Sequence, residues 1–263
     1  MKRFHVSAHH WFNAPLMISD GGLARVQQLA QTPMEQPEED DPEQPEIIVT
    51  NSTAVIAIEG IIVPECDPML EEYCGLCSLE RVCEQLDAAM ADPSVSRIIL
   101  CMDSPGGRVS GVPELAAKIA TANKTKQIDT WVDGQCASAA YYLAAGCHGI
   151  YAPASADIGC IGTLIVYYDQ SKMFSDMGVV PVVIKSGAFK GEGTPGTSLS
   201  KEFQAHLQDR VDKLSEMFRA HVSQHRPRVA NETMQGLSYL GMDCPKNGLI
   251  DAVLPDMESI LSV

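Results

Sequence analysis

Short apolar runs alternate with stretches of helical periodicity along most of the chain. Ala54–Val63 (AVIAIEGIIV) is a nearly unbroken apolar run and predicts a strand. Ser78–Asp92 has helical spacing, with Ser78 placed as N-cap. Ser96–Ser104 (SRIILCMDS) is the continuous apolar run of a buried parallel strand. A turn and helix over Gly106–Asn123 follow, then a strand over Ile128–Gly134 and a helix of small residues. Gly149–Asp169 predicts strand, turn and strand, and Val179–Gly187 (VVPVVIKSG) a further strand. Ser198–Arg226 predicts a long amphipathic helix with Phe203, Leu207, Val211, Leu214, Phe218 and Val222 on one face. Strands alternating with helices are the pattern of an α/β fold with crossover connections.

This pattern begins near Ile47. Residues 1–32 form a leader in which FNAPLMI is extended and partly apolar, and GGLARVQQLAQ has helical periodicity. Residues 33–46 are rich in Pro and Glu and predict a flexible, self-repelling linker. Residues 47–263 are read as the main domain, long enough for a sizeable core.

Charge and cysteine content narrow the function classes. The net charge is −15, and Glu35–Glu46 alone holds seven acids and no base. Clustered Lys and Arg are missing, which argues against a nucleic-acid surface and against docking on an anionic membrane. No apolar stretch has the length of a signal-peptide core or a membrane span. The nine cysteines are therefore read as reduced thiols of a cytosolic protein. Cys66, Cys74, Cys77 and Cys83 cluster around one CxxC, but no second well-spaced pair completes a zinc site.

Three strand-ends carry candidate chemistry. In MDSPGGRVSG (Met102–Gly111) a buried strand runs into paired glycines before a helix. Such a turn can present backbone N–H groups to an anion, and a plain βα turn is the equal alternative. In DGQCASAAYYLAAG (Asp133–Gly146) Ser138 falls between strand and helix, among alanines that permit close approach of a substrate or merely of a neighbouring helix. In IKSGAFKGEGTPGTSLS (Ile184–Ser200) a Gly-rich loop carries Lys185 and Lys190. A lysine serves as general base where burial lowers its pKa, because desolvation disfavours the ammonium form. Histidine is the competing base. His5, His9 and His10 fall in the leader, His148 after the small-residue helix, and His206, His221 and His225 on the long helix. None lies on a strand-end loop.

Taken in order, DSPGG, GQCASAAYYLAAG, ADIGCIGT, IKSGAFKGEGTP and NGLIDAVL resemble the S49 family of serine peptidases, the signal peptide peptidase A group, over roughly residues 54–253. The leader FNAPLMISDGGLARVQQLA resembles that of the tailed-phage head maturation branch. The resemblance implies a ClpP/crotonase-like α/β fold of repeated β-β-α units, a Ser-Lys dyad, no cofactor or metal, and assembly into a homo-oligomeric ring. Ser138 matches the nucleophile and Lys190 the general base, whereas Lys185 matches neither. Gly107 and Gly106 match the loop facing the oxyanion, and the N–H of Ala139 would be the second donor. Cys160 stands where the family often has a serine that orients the lysine, and Ala139 where it often has glycine. The implied substrates are scaffold and capsid polypeptides, cleaved in the host cytoplasm or inside the procapsid, with no membrane anchor, no secretion and a scaffold encoded separately. Two other readings stay open: a cytosolic S49 peptidase degrading membrane-derived peptides, and a non-proteolytic capsid assembly component on the same fold.

Overall fold

The computed structural model describes residues 3–4, 14–31, 34–35 and 47–262. The acidic linker expected over 33–46 falls outside these residues except for Met34–Glu35. In chain order the leader contributes β1 (Arg3–Phe4), β2 (Leu16–Ile18), α1 (Asp20–Gln31) and β3 (Met34–Glu35), with β1 and β3 paired antiparallel. The chain continues with β4 (Ile48–Thr50), β5 (Thr53–Glu59), β6 (Ile61–Val63), α2 (Pro68–Cys74), β7 (Leu76–Ser78) and α3 (Leu79–Ala91). Then come β8 (Arg97–Ser104), β9 (Gly106–Arg108), α4 (Val112–Ala122), β10 (Gln127–Ala137) and α5 (Ala139–Ala145). The last third holds β11 (Ile150–Ala152), β12 (Asp157–Gly159), α6 (Ser171–Asp176), α7 (Lys201–His225), β13 (Ser238–Leu240), α8 (Cys244–Asn247) and β14 (Ala252–Val253).

Two sheets result. The larger runs β13-β12-β10-β8-β5-β4, with β11 on the same edge of β10 as β12 and β14 beyond β11. Its centre, β5-β8-β10, is parallel, and each link between these strands passes through a helix, α3 or α4. This is the mixed α/β architecture that the alternation of elements predicts. Burial along β8 follows the strand period of two. Ile98, Leu100 and Met102 face the main core under α3, α4 and α5, while Ile99 and Cys101 face Trp131, Tyr151 and Ile260 on the opposite side. There Arg97 pairs with the buried Asp129 carboxylate at 2.7 Å and donates to the Ile260 carbonyl at 3.1 Å, which fastens the C-terminal turn.

The smaller sheet, β2-β9-β6-β7, arises from a corner the apolar pattern conceals. The single strand expected over Ala54–Val63 is two, divided at Gly60, whose φ of 85° redirects the chain from one sheet to the other. A Cβ there would lie 2.2 Å from the Gly75 carbonyl oxygen, so only glycine allows this close approach.

The strand expected over Val179–Gly187 is absent. The stretch has no regular structure, and Val180, Val182 and Ile184 are exposed. Its β-branched residues have strand propensity, but no sheet edge among the described residues receives them. The long helix is present as α7, yet on its predicted apolar face only Phe218 and Val222 are fully buried. These two anchor it to α5: Phe218 packs on Tyr142, and His221 stacks on the same ring at 4.2 Å while its Nε2 meets the Tyr142 carbonyl at 3.0 Å.

Burial holds His221 down to about 4 from its ordinary 6.5, reinforced by neighbouring His225, while the Tyr142 carbonyl acts in the opposite sense. The unfolded chain thus binds a proton before the folded one does. The resulting stability is complete above pH 6.5 and is lost as pH falls toward 4. Thermal melts across this window should show the wild type losing stability more steeply than His221→Gln. Parallel slopes would remove His221 as the cause.

Candidate active site

Ser138 is placed by a strand that has nowhere further to go. β10 ends at Ala137, and α5 begins at Ala139. Between them Ser138 has φ 56° and ψ −114°, a region that costs a non-glycine residue about 1–3 kcal/mol. Two backbone bonds hold it there: its N–H donates to the Gly159 carbonyl at 2.7 Å, and its carbonyl accepts from Tyr142 N–H at 2.9 Å. A serine on a sharp, strained strand-to-helix turn is the nucleophile-elbow arrangement, reached here without the G-x-S-x-G spacing. The Oγ is fully buried and has no hydrogen-bond partner among the described residues. Such an unsatisfied hydroxyl calls for a functional explanation.

The paired glycines lie against this turn. Gly106 has φ 91°, and a Cβ on it would stand 2.9 Å from both the Ala137 oxygen and the Ala139 nitrogen. A Cβ on Gly107 would fall 2.0 Å from the Ile62 oxygen. The Ala139 N–H opens the first turn of α5 and has no acceptor within that turn. Ser104 braces the loop: its hydroxyl donates to the Gly60 carbonyl at 2.7 Å and accepts Gly106 N–H at 3.2 Å. The register of β10 on β8 shifts between Val132 and Cys136, and Asp103 secures that bulge by accepting Gln135 N–H at 3.1 Å. Burial pushes the Asp103 carboxyl above its usual range, and nearby Asp133 adds to this. Ser104 and Asp103 were in view in DSPGG, but a supporting role leaves no signature in a pattern of residue types.

Cys160 follows Gly159, the residue that accepts the Ser138 N–H, and has φ 51°. Its thiol is directed at the Ile18 carbonyl at 4.0 Å, and burial pushes its pKa up to about 11. It lines a cavity of about 270 Å³ together with Ile18, Asp20, Thr163, Leu164 and Arg219.

Lys190 is the exception to this convergence. It lies in an exposed turn closed by its own N–H to the Gly187 carbonyl, and its ammonium pairs with no carboxylate among the described residues, so the structure does not bring it to buried Ser138 within the chain. Lys185 is exposed as well and donates to the Ala188 carbonyl. Among the described residues no group of His, Cys, Asp and Glu is arranged to hold a metal. Cys77 of the CxxC is buried, and burial pushes its pKa up to about 12.

The residue sequence matches the pattern of Peptidase family S49 over residues 120–258, a span that contains Ser138, Cys160 and Lys190. The chain belongs to this family. Among its relatives, a protein of Methanocaldococcus jannaschii named as a candidate protease is 32% identical over 171 residues, covering 64% of this chain and 55% of its own length. The capsid assembly protease C of Escherichia phage lambda is 28% identical over 215 residues, covering 81% of this chain and 48% of its own length. The chain thus spans about half the length of these S49 relatives. A solved mutant of the 1510-N membrane-bound stomatin-specific protease aligns over 82% of this chain and 85% of its own, at 17% identity and a TM-score of 0.46. No helix among the described residues is long and apolar enough to cross a membrane.

The glycine geometry has a measurable consequence. Gly107→Ala should lower folding stability by about 3 kcal/mol or more, since backbone must shift to admit the methyl group. Gly21→Ala, with nothing within 4 Å of its Cβ position, should raise stability by about 0.5–1 kcal/mol as an ordinary helix substitution. Urea midpoints of the two variants check the contrast.

Proposed function

We propose that this S49 protein is a serine endopeptidase in which Ser138 attacks a peptide carbonyl and Lys190 removes its proton. The observation that carries the reading is the strained, unpartnered Ser138 at the head of α5, directly beside Gly106 and Gly107. The N–H groups of Gly107 and Ala139, with Gly106 shaping the turn, would hold the oxyanion, at about 10²–10³ in rate per donor lost. Water then releases the acyl-enzyme. No cofactor is required.

Lys190 needs a dry setting to act as a base. The arm that carries it exposes Val180, Val182 and Ile184, an apolar surface of the kind a neighbouring copy covers. The homo-oligomer would then share its sites between subunits, with Lys190 of one copy serving Ser138 of the next. The ClpP/crotonase-like ring of the family is consistent with this.

The favoured substrates are scaffold and capsid polypeptides of a phage head, cut in the host cytoplasm or the procapsid. Support comes from the lambda capsid assembly protease, whose match spans more of this chain than that of the archaeal relative. The archaeal match is the higher in identity and favours a cellular S49 peptidase as the second reading.

Purified protein should cleave denatured casein, with Ser138→Ala and Lys190→Ala each lowering the rate by at least a thousandfold. Equal cleavage by wild type and Ser138→Ala would defeat the peptidase reading. Mixing the two inactive variants should restore measurable activity if sites are shared between copies. No recovery, with mixed oligomers shown to form, would place both residues of each site in one chain. Cleavage of the cognate scaffold, in preference to membrane-derived peptides, decides between the two biological settings.

A further inference from the structure

We propose that the leader strand Leu16–Ile18 is a tethered pseudosubstrate: it fills, as an antiparallel strand, the groove in which the enzyme binds an extended apolar peptide. The inference rests on the peptidase reading above and adds to it the location and chemistry of the substrate groove.

The strand is hydrogen-bonded on both edges. On one side it runs antiparallel to β9, with Met17 opposite Gly107 and Ile18 opposite Gly106. On the other, Leu16 and Leu164 exchange both backbone bonds, at 2.9 and 3.0 Å. Backbone pairing of this kind is how an extended peptide is added to a sheet. The flanking bonds fix the parity of the ladder. Ser19 N–H donates to Pro105 O at 2.8 Å and Val109 N–H to Pro15 O at 3.4 Å. Hydrogen-bonded pairs alternate along an antiparallel ladder, so Met17 and Gly107 form one, and the Gly107 N–H points at the Met17 carbonyl.

That N–H is the donor assigned to the oxyanion. The Met17 carbonyl oxygen also lies 2.2 Å from where a Gly106 Cβ would be, and the Ala139 nitrogen lies 2.9 Å from the same point. One leader carbonyl therefore stands where the carbonyl of a substrate would be polarised. The Ser138 hydroxyl, one residue before Ala139, is sealed from solvent. With no base touching that hydroxyl, the leader would resist cleavage.

Side chains on the strand define what the groove accepts. Leu16 and Ile18 enter a small apolar cluster with Ile61, Val63 and Leu76, while Met17 turns into the main core. The ligand class is thus an extended peptide with aliphatic residues on both sides of the residue whose carbonyl meets Gly107. The leader competes at high effective concentration because residues 32–46 tether it to the domain it occupies. A substrate must displace it.

The test uses the full chain with a specific endopeptidase site inserted between residues 36 and 46. Three forms are compared: uncut, cut and diluted a hundredfold, and cut with an excess of synthetic peptide spanning residues 11–22. Fluorophosphonate labelling of Ser138 is followed by intact mass, and hydrogen exchange reads the Leu164 amide. Cutting should accelerate labelling at least tenfold and remove protection at Leu164. The peptide should reverse both, and a peptide carrying Met17→Pro should reverse neither. Equal labelling of all forms, or a leader still bound after cutting and dilution, overturns the proposal and leaves the peptidase reading standing. Loss of Leu164 protection that the peptide does not restore also overturns it. Restored protection with no labelling of Ser138 in any form keeps the peptide groove and defeats the peptidase reading instead.

Discussion

At Gly106 and Gly107 three backbones pass closer together than side chains would permit. Met17 approaches from the leader, Ile62 from the strand beyond Gly60, and the Ala137–Ala139 turn from the end of β10. The contact positions that would hold Cβ atoms are instead filled by carbonyl oxygens and a backbone nitrogen. This close approach joins the small sheet to the large one and brings a strained serine against a row of backbone dipoles. Ser104 and Asp103 hold the approach from beneath, through Gly60 and Gln135. Without it the two sheets would share no site.

The sequence made the chemistry more legible than the geometry. Taken alone, Ser138 and the paired glycines read equally well as packing and a plain turn; the resemblance carried by their order along the chain is what singled them out. The parallel core strands and α3, capped by Ser78, were readable from local pattern alone, since their apolar spacing follows directly from which face is buried. Three features were not. The corner at Gly60 is hidden because both arms of the run are apolar and only one glycine divides them. The destination of Leu16–Ile18 depends on pairing with residues about 90 and 150 positions away, which no local periodicity encodes. The exposed run Val179–Ile184 has the composition of a strand, but composition does not say whether a partner edge exists.

The two halves of the proposed dyad have different physical settings. Ser138 is fixed by backbone hydrogen bonds on both sides and by a helix whose residues Tyr141 and Tyr142 are locked, the first by its hydroxyl to Leu249 and the second by stacking on His221. Lys190 is held by a single turn on the surface. A hydroxyl without a base is a poor nucleophile, and an exposed ammonium is a poor base. On the proposed reading both groups would be silent in the isolated chain, each for its own reason.

This division has a consequence for how the protein can vary. The arm from Leu164 to the start of α7 contributes little to the three apolar clusters, so its residues are nearly free of the constraint that fixes the interior. On the proposed reading, changes there would alter the pairing of copies at little expense in thermal stability. The interior around Ser138 has the opposite character: nearly every substitution is felt as a folding defect before it is felt as a catalytic one. If Ser138 is the nucleophile proposed above, variation is free on the arm and constrained around that serine.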